Sequence, residues 1–218
     1  MSQSSVVEGC IAEDNGGIGF VVNAGSAVTR CASRNNTGVG FSINNSSVSL
    51  CSSRVNIGGG MAIQNCSSVV NCMVGSNGGN GLSVSIGSAE TATVITDSSF
   101  CDNDDNGITC GSNAVVRGCV CTGNGQTTAT GAGIRVTSGD CRIEGNHCKG
   151  NDRGISVANS GSVILRNSCG SNLINWEIAA NNVYSPIVDR SAPASPAVSG
   201  NSAAGVVGSS DGNVNITF

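Results

Sequence analysis

Apolar and polar positions recur along the chain with a period of about 20 residues. The most regular marker is an asparagine, repeated at intervals of 21, 20, 21, 26, 21, 27 and 21 residues: Asn15, Asn36, Asn56, Asn77, Asn103, Asn124, Asn151 and Asn172. Eight positions before each one stands a β-branched residue: Val7, Val28, Val48, Val69, Ile95, Val116, Ile143 and Ile164. A repeat of this length is typical of solenoids, in which each unit packs only on its neighbours.

Two further features of the repeat indicate β-strands. Five positions before the asparagine the residue is usually a cysteine (Cys10, Cys31, Cys51, Cys72 and Cys119), and Ser98, Asn146 and Asn167 complete this column. After the asparagine, a glycine-rich turn leads into two apolar residues spaced by two, such as Phe41 and Ile43. A spacing of two is the side-chain period of a strand, and no stripe with the 3.6-residue period of a helix persists.

The pattern predicts an all-β fold, a single-stranded right-handed parallel β-helix of about eight rungs, where a rung is one complete coil of the chain. Rungs stack about 4.8 Å apart, so the valines and isoleucines form an interior file and the asparagines hydrogen-bond amide to amide. Asparagine tolerates the left-handed backbone conformation of a turn, and glycines such as Gly40 and Gly60 are expected where the turns need a positive φ. Two insertions, Ser85–Ala92 and Gln126–Gly131, are expected to be surface loops.

The repeat is lost near the C-terminus, and this defines two predicted regions. Residues 1–182 form the β-helix, and residues 183–218 form a C-terminal cap or an assembly tail. The tail ends in Val214, Ile216 and Phe218, which alternate as in a strand. Such a strand could cap its own last rung, or it could meet the first rung of another copy and so generate filaments.

The repeat resembles those of a known superfamily. The pattern V-x-x-C-x-A/S-x-x-N-x-G-x-G-[IFLM]-x-[VI], seen in Val28–Ile43, resembles the right-handed parallel β-helix repeats of the pectate-lyase-like superfamily, and the stretch Glu144–Ile155 is especially similar. The resemblance covers about residues 4 to 180. It implies the fold directly, whereas one fold of this kind hosts many functions.

Composition excludes several classes of protein. Only 11% of the residues are charged, the net charge is −4 and 39% are hydrophobic. These values argue against a disordered chain and against an electrostatic nucleic-acid binder. No apolar run reaches the length of a membrane span, and no signal peptide is visible in Met1–Ser5. An extracellular or cell-surface location is nevertheless expected from the fold.

The 12 cysteines leave their oxidation state open. Eight of them fall in two inward columns, where cysteine acts as a small buried hydrophobe. Stacked pairs, such as Cys51 with Cys72, would also place their Cα atoms within the range that a disulfide requires. With one histidine and no C-x-x-C motif, no metal site is expected. No other cofactor is expected, and Ca²⁺ would be needed only by a lyase.

The superfamily contains polysaccharide lyases and glycoside hydrolases, so the resemblance directs attention to acidic and basic side chains. The candidates for catalysis are Asp104 and Asp105 in an acidic turn of the fifth repeat, with His147 and Arg153 in the seventh. A lyase needs clustered carboxylates with a basic partner, and a hydrolase needs paired carboxylates. Alternatively, the acidic turn is an ordinary solvated turn and the other residues are surface residues.

The preferred functional hypothesis is a non-catalytic structural module outside the cell that associates end to end with copies of itself. The alternatives are a pectate-lyase-like polysaccharide lyase or glycoside hydrolase, and a glycan-binding fibre domain. The expected partner is therefore the chain itself, or a carbohydrate under the alternatives. The ladder columns would be structural, Val214, Ile216 and Phe218 would serve assembly, and the acidic and basic candidates above would serve catalysis.

Overall fold

The computed structural model describes residues 4–23, 25–85, 92–125, 130–189 and 213–218. Within these ranges every regular element is a β-strand, and the strands form three parallel sheets that wind around a common interior. Each of the first eight rungs contributes one strand to each sheet, and the strands after them form a partial ninth rung in two of the sheets. Most of both predicted insertions lies outside the described residues.

Sheet A contains nine strands, listed in their order in the sheet: β1 (Val6–Glu8), β4 (Ala27–Thr29), β7 (Ser47–Ser49), β10 (Ser68–Val70), β13 (Thr93–Thr96), β16 (Ala114–Arg117), β19 (Arg142–Glu144), β22 (Val163–Leu165) and β25 (Val183–Tyr184).

Sheet B contains ten strands, again in spatial order: β2 (Ile11–Glu13), β5 (Ala32–Arg34), β8 (Ser52–Arg54), β11 (Met73–Gly75), β14 (Ser99–Cys101), β17 (Val120–Thr122), β20 (His147–Lys149), β23 (Ser168–Gly170), β27 (Asn215–Thr217) and β26 (Ile187–Asp189).

Sheet C contains eight strands: β3 (Phe20–Val22), β6 (Phe41–Asn44), β9 (Met61–Gln64), β12 (Leu82–Ser85), β15 (Ile108–Cys110), β18 (Ala132–Val136), β21 (Arg153–Val157) and β24 (Ile174–Ile178).

The predicted interior file of β-branched residues is present in sheet A. Val28 pairs with Val7 on one side and with Val48 on the other. The register continues to Ile164, and from Val28 onward each residue of the file is at most 1% exposed. Burial of one such side chain stabilises the fold by about 1.5–3 kcal/mol. The predicted right-handed parallel β-helix of about eight rungs is confirmed.

The asparagine ladder is also confirmed, and it runs without interruption from Asn15 to Asn172. Each member before Asn172 uses both its backbone N–H and its side-chain Nδ2 to donate to the Oδ1 of the next. The N and Nδ2 atoms of Asn56 both lie 3.0 Å from Oδ1 of Asn77. The ladder therefore supplies a partner for a backbone N–H at a corner where the sheets are interrupted.

The cysteine column forms a second ladder of the same kind. The backbone N–H of Cys31 donates to Sγ of Cys51 over 3.4 Å, that of Cys72 to Oγ of Ser98 over 3.1 Å, and that of Cys119 to Oδ1 of Asn146 over 2.9 Å. Thiol, hydroxyl and amide replace one another because each of them can accept a hydrogen bond.

A third ladder, which the sequence analysis did not identify, stands at the remaining corner. The N–H of Ser26 donates to Oγ of Ser46, and the N–H of Ser46 donates to Oγ of Ser67. Toward the other end, the N–H of Ser162 donates to Oδ1 of Asn182. The third corner therefore also uses side-chain acceptors from the next rung, although this column is interrupted at Ala114, which pairs with Thr93 and has no side-chain acceptor.

The backbone conformation at the corners differs from the prediction. The left-handed residue is the one directly before a ladder asparagine, such as Asn35 (φ 53°) and Ser76 (φ 56°). The ladder asparagines themselves do not have a positive φ, and the positive φ expected at Gly40 and Gly60 is wrong. Gly40 is needed for space instead, because a Cβ atom there would lie 2.7 Å from the carbonyl oxygen of Gly60 in the next rung.

The C-terminal residues do not simply follow the last rung. Strand β27 lies between β23 and β26 and is parallel to both. It follows β26 in the sequence but precedes it in the order of strands within sheet B. Residues 190–212, which connect β26 to this segment, lie outside the described part of the chain. Asn215 extends the second ladder by accepting the N–H of Asn167 over 2.9 Å.

We predict that Asn56→Ala destabilises the protein by about 3 kcal/mol, because it leaves the N–H and Nδ2 of Asn36 without their acceptor inside the rod. Asn56 is 1% exposed, whereas Asn15, at the first rung, is exposed. The matched variant Asn15→Ala should therefore cost less than about 1 kcal/mol. Urea denaturation of both variants measures the loss in the free energy of unfolding. Equal losses would contradict the view that the buried ladder asparagines stabilise the fold more than the exposed one.

Candidate functional site

The described surface has a cleft on the outer face of sheet C, toward its C-terminal end. It encloses about 580 Å³, and its lining comes from strands β18, β21 and β24 and the residues beside them: Thr130, Arg135, Arg153, Ser156, Val157, Ala158, Glu177, Ile178 and Ala179. Arg135, Ser156 and Glu177 are in register on three successive strands. Because side chains alternate along a strand, these three project outward while their apolar neighbours pack inside.

One ion pair organises the cleft. Nη1 of Arg153 donates to the carbonyl oxygen of Thr130 over 2.7 Å. Nε of Arg153 lies 2.9 Å from Oε2 of Glu177, although this buried N–H is not aligned for a hydrogen bond. Oγ of Ser156 donates to the same carboxylate oxygen over 2.7 Å. The carboxylate of Glu177 is thus held by a guanidinium and a hydroxyl.

Arg135 gives the cleft an excess of positive charge. Its side chain is half-buried and lies in register between Thr109 and Ser156. Among the described residues, no carboxylate lies within ion-pairing distance of its guanidinium. Two arginines and one glutamate therefore give the cleft a net charge of about +1, in a chain whose net charge is −4. The cleft is suited to an anionic group, which arginine binds through two parallel hydrogen bonds.

The candidate catalytic residues from the sequence do not form one group. Asp104 is exposed and Asp105 half-buried, both at the corner after β14. His147 lies in β20 of sheet B, where its Nδ1 is 2.9 Å from Oγ of Ser168. Arg153 lies in β21 of sheet C, on a different face from His147. Of the four candidates, Arg153 belongs to the cleft.

Arg135, Ser156 and Glu177 were not among the residues predicted from the sequence. Each stands between the two members of an apolar pair, as Arg135 does between Ile134 and Val136. That central position points outward on every strand of sheet C. A polar or charged residue there is therefore the feature of the sequence that could have indicated the cleft. The corresponding residues of earlier rungs are Val21, Ser42, Ala62, Ser83 and Thr109.

All 12 cysteines carry free thiols. Nine of them are buried, whereas Cys10 and Cys66 are exposed and Cys101 is half-exposed. Burial raises the pKa of the Cys119 thiol to about 12 and holds the pKa of Cys121 well above its ordinary value. Among the described residues, no three His, Cys, Asp or Glu side chains are grouped so that they could hold a metal ion.

The residues predicted to serve assembly lie on the last rung of their own chain. Val214 and Ile216 are half-buried on either side of Asn215, and Phe218 is 40% exposed and stacks on the ring of His147 with centroids 5.3 Å apart. Association with another copy of the chain stays a prediction. In the same described residues, no helix has the length and apolarity that a membrane crossing requires.

No family model and no curated protein sequence matches the chain. Solved structures do match. The A-module of the Azotobacter vinelandii mannuronan C-5 epimerase AlgE6 has a TM-score of 0.74 at 17% identity, over 83% of this chain and 56% of that one. The A-module of AlgE4 from the same organism has a TM-score of 0.67 at 17% identity, over 82% and 57%. A periplasmic alginate epimerase, AlgG, has a TM-score of 0.62 at 13% identity, over 77% and 46%.

These likenesses establish the β-helix fold, which the chain shares with proteins named for their action on polysaccharides. The chain spans little more than half the length of the first two structures. The expected non-catalytic structural role finds no support among them. At 13–17% identity the likeness extends to the fold alone.

We predict that a thiol reagent at neutral pH modifies Cys10 and Cys66 rapidly and Cys101 more slowly, because only accessible thiols can form reactive thiolates. The other nine should react only after denaturation. Mass spectrometry of labelled peptides identifies the sites, and the double variant Cys10→Ser, Cys66→Ser should lack the fast phase. Fewer than 12 reactive thiols in the denatured, unreduced protein would indicate disulfides.

Proposed function

We propose that the protein binds an acidic polysaccharide, and that the cleft on sheet C is the binding site. The observation that carries this proposal is Arg135, a half-buried guanidinium with no carboxylate partner among the described residues, beside the Arg153–Glu177 ion pair. A half-buried unpaired guanidinium favours a ligand that brings its own negative charge.

Two hydroxyls in register with Arg135 can contribute to sugar binding: Ser156 in the cleft and Thr109 beside it. Oγ1 of Thr109 donates to Oδ1 of Asn80 and Oγ of Ser156 donates to Glu177, so each hydroxyl keeps its acceptor capacity for a sugar hydroxyl. A uronate unit would place its carboxylate on Arg135 and its hydroxyls along the neighbouring strands.

The fold supports the choice of ligand class. The similar structures are named for mannuronan and alginate, which are polymers of sugar acids. The outer face of a parallel β-helix runs along the rod, so an extended polymer can lie across several rungs. We infer that the protein acts outside the cytoplasm, where such polymers are found, and one of the similar proteins is described as periplasmic.

The described groups favour binding over a chemical step. Glu177 is the one carboxylate in the described lining of the cleft, and it is already engaged by Arg153 and Ser156. A general base must be free to accept a proton from the substrate. The cleft is therefore proposed as a binding site, with no catalytic role assigned to its residues.

We predict that Arg135→Ala weakens binding of a polyuronate, such as polygalacturonate or polymannuronate, by about tenfold or more, since a charge-assisted hydrogen bond is lost. Isothermal titration calorimetry measures the affinity. Arg135→Lys should recover part of the loss, because it restores the charge without the planar, two-pronged geometry.

Arg54→Ala is the matched control. Arg54 is exposed on sheet B, far along the rod from β18, and its replacement changes the net charge by the same amount. It should leave the affinity unchanged. Equal weakening by both variants would mean that the polymer responds only to overall charge, and no binding by the unaltered protein would overturn the proposed function.

A further inference from the structure

The ninth rung is assembled from two segments that are distant in the sequence. Tyr184 pairs with Ile164, so three residues later Ile187 reaches the ladder position that Asn167 occupies in the preceding rung. Isoleucine has no side-chain acceptor for the N–H of Asn167. Asn215 takes the position instead, and Ile187 pairs with it one layer farther out.

The inserted segment, residues 213–218, is held by specific side-chain contacts. Nδ2 of Asn215 donates to the backbone oxygen of Ser185 over 3.1 Å and to its Oγ over 3.0 Å. Nε of Arg166 donates to Oδ1 of Asn213 over 2.8 Å. Both Asn215 and Thr217 are buried, at 0% and 4% exposure. The segment is therefore a fitted component of the last rung.

One contact links the inserted segment to sheet C. Nε1 of Trp176 donates to Oγ1 of Thr217 over 2.7 Å. Trp176 belongs to β24, which is the last strand of sheet C and pairs only with β21 in the described part of the chain. An edge strand has half of its backbone groups unpaired by the sheet, so its position depends strongly on its side chains.

The position of Trp176 determines that of Glu177. The two residues are consecutive in a strand, where one side chain faces the core and the next faces the outer surface. Trp176 packs against the core, and Glu177 meets Arg153 and Ser156 in the cleft. A shift of Trp176 would therefore displace the carboxylate that orders Arg153.

We infer that residues 213–218 act as a latch that holds β24 in place and thereby sets the geometry of the sheet C cleft. Thr217 is the positioning residue, because it fixes Trp176 without touching the cleft. The consequence for ligand affinity rests on the proposed function, whereas the consequence for β24 does not. The latch couples the C-terminal segment of the chain to the binding surface.

The test uses the full-length chain with Thr217→Val, which keeps the shape of the side chain but removes the acceptor, and Thr217→Ser, which keeps the hydroxyl. Trp176 is the single tryptophan, so intrinsic fluorescence reports on this contact alone. Hydrogen exchange of the amides of residues 174–179 reports on β24 without any ligand. Calorimetry with polygalacturonate reports on the cleft.

Thr217→Val should shift the tryptophan emission to longer wavelength, increase exchange in β24 about tenfold and weaken polyuronate binding severalfold. Thr217→Ser should resemble the unaltered protein in all three measurements. Unchanged fluorescence and exchange in Thr217→Val would overturn the latch. Faster exchange with unchanged affinity would overturn its coupling to the cleft. If no form of the protein binds the polymer, the proposed function fails while exchange still decides whether the latch exists.

Discussion

The structure depends on how the backbone N–H groups at the corners of the rungs are satisfied. Within the sheets, strands pair with one another, but at a corner the main-chain hydrogen bonds between neighbouring rungs are interrupted. Three columns of side chains fill this gap, and each acceptor belongs to the following rung. An unpaired N–H inside the rod would cost about 1–3 kcal/mol, so a loss repeated at three corners in every rung would outweigh the stability of an ordinary domain. The interior files of valine and isoleucine supply hydrophobic stabilisation, but the corner acceptors decide where each rung bends.

Because the interior and corner residues hold the fold together, the residues of the outer surface are available for function. Residues that face the interior or stand at a corner are constrained by the rung above and the rung below. The central residue of each sheet C strand lies on the outer side of the sheet and is free of that constraint, which is why Thr109, Arg135, Ser156 and Glu177 can differ from one rung to the next. Charge thus appears at this central position on β18 and β24, and the cleft is a local variation on the outer face of sheet C.

The sequence predicted the features that repeat. Eight asparagines at nearly constant spacing were sufficient to define the rungs, the interior file and one ladder, because stacking in register makes equivalent residues neighbours. Features that depend on single contacts could not be predicted from the sequence. The third ladder mixes serine with Cys141 and Asn182, so no one residue type marks it. The glycines were explained by backbone conformation, whereas close approach of the next rung is what excludes a side chain at Gly40. The cleft was missed because its residues are related through pairing across rungs, and the four catalytic candidates were chosen by residue type alone.

The order of strands at the C-terminal end bears on how the chain is made. Each of the first eight rungs can pack on its predecessor as the polypeptide leaves the ribosome, since neighbouring rungs are neighbouring in sequence. The ninth cannot, because β27 must enter between two strands that were synthesised before it. Until residues 213–218 are in place, the N–H of Asn167 lacks the acceptor that Asn215 supplies, and β26 lacks the strand with which it pairs. Completion of this rung therefore depends on the arrival of residues 213–218 after β26 has been made, and not on stepwise growth of the coil alone.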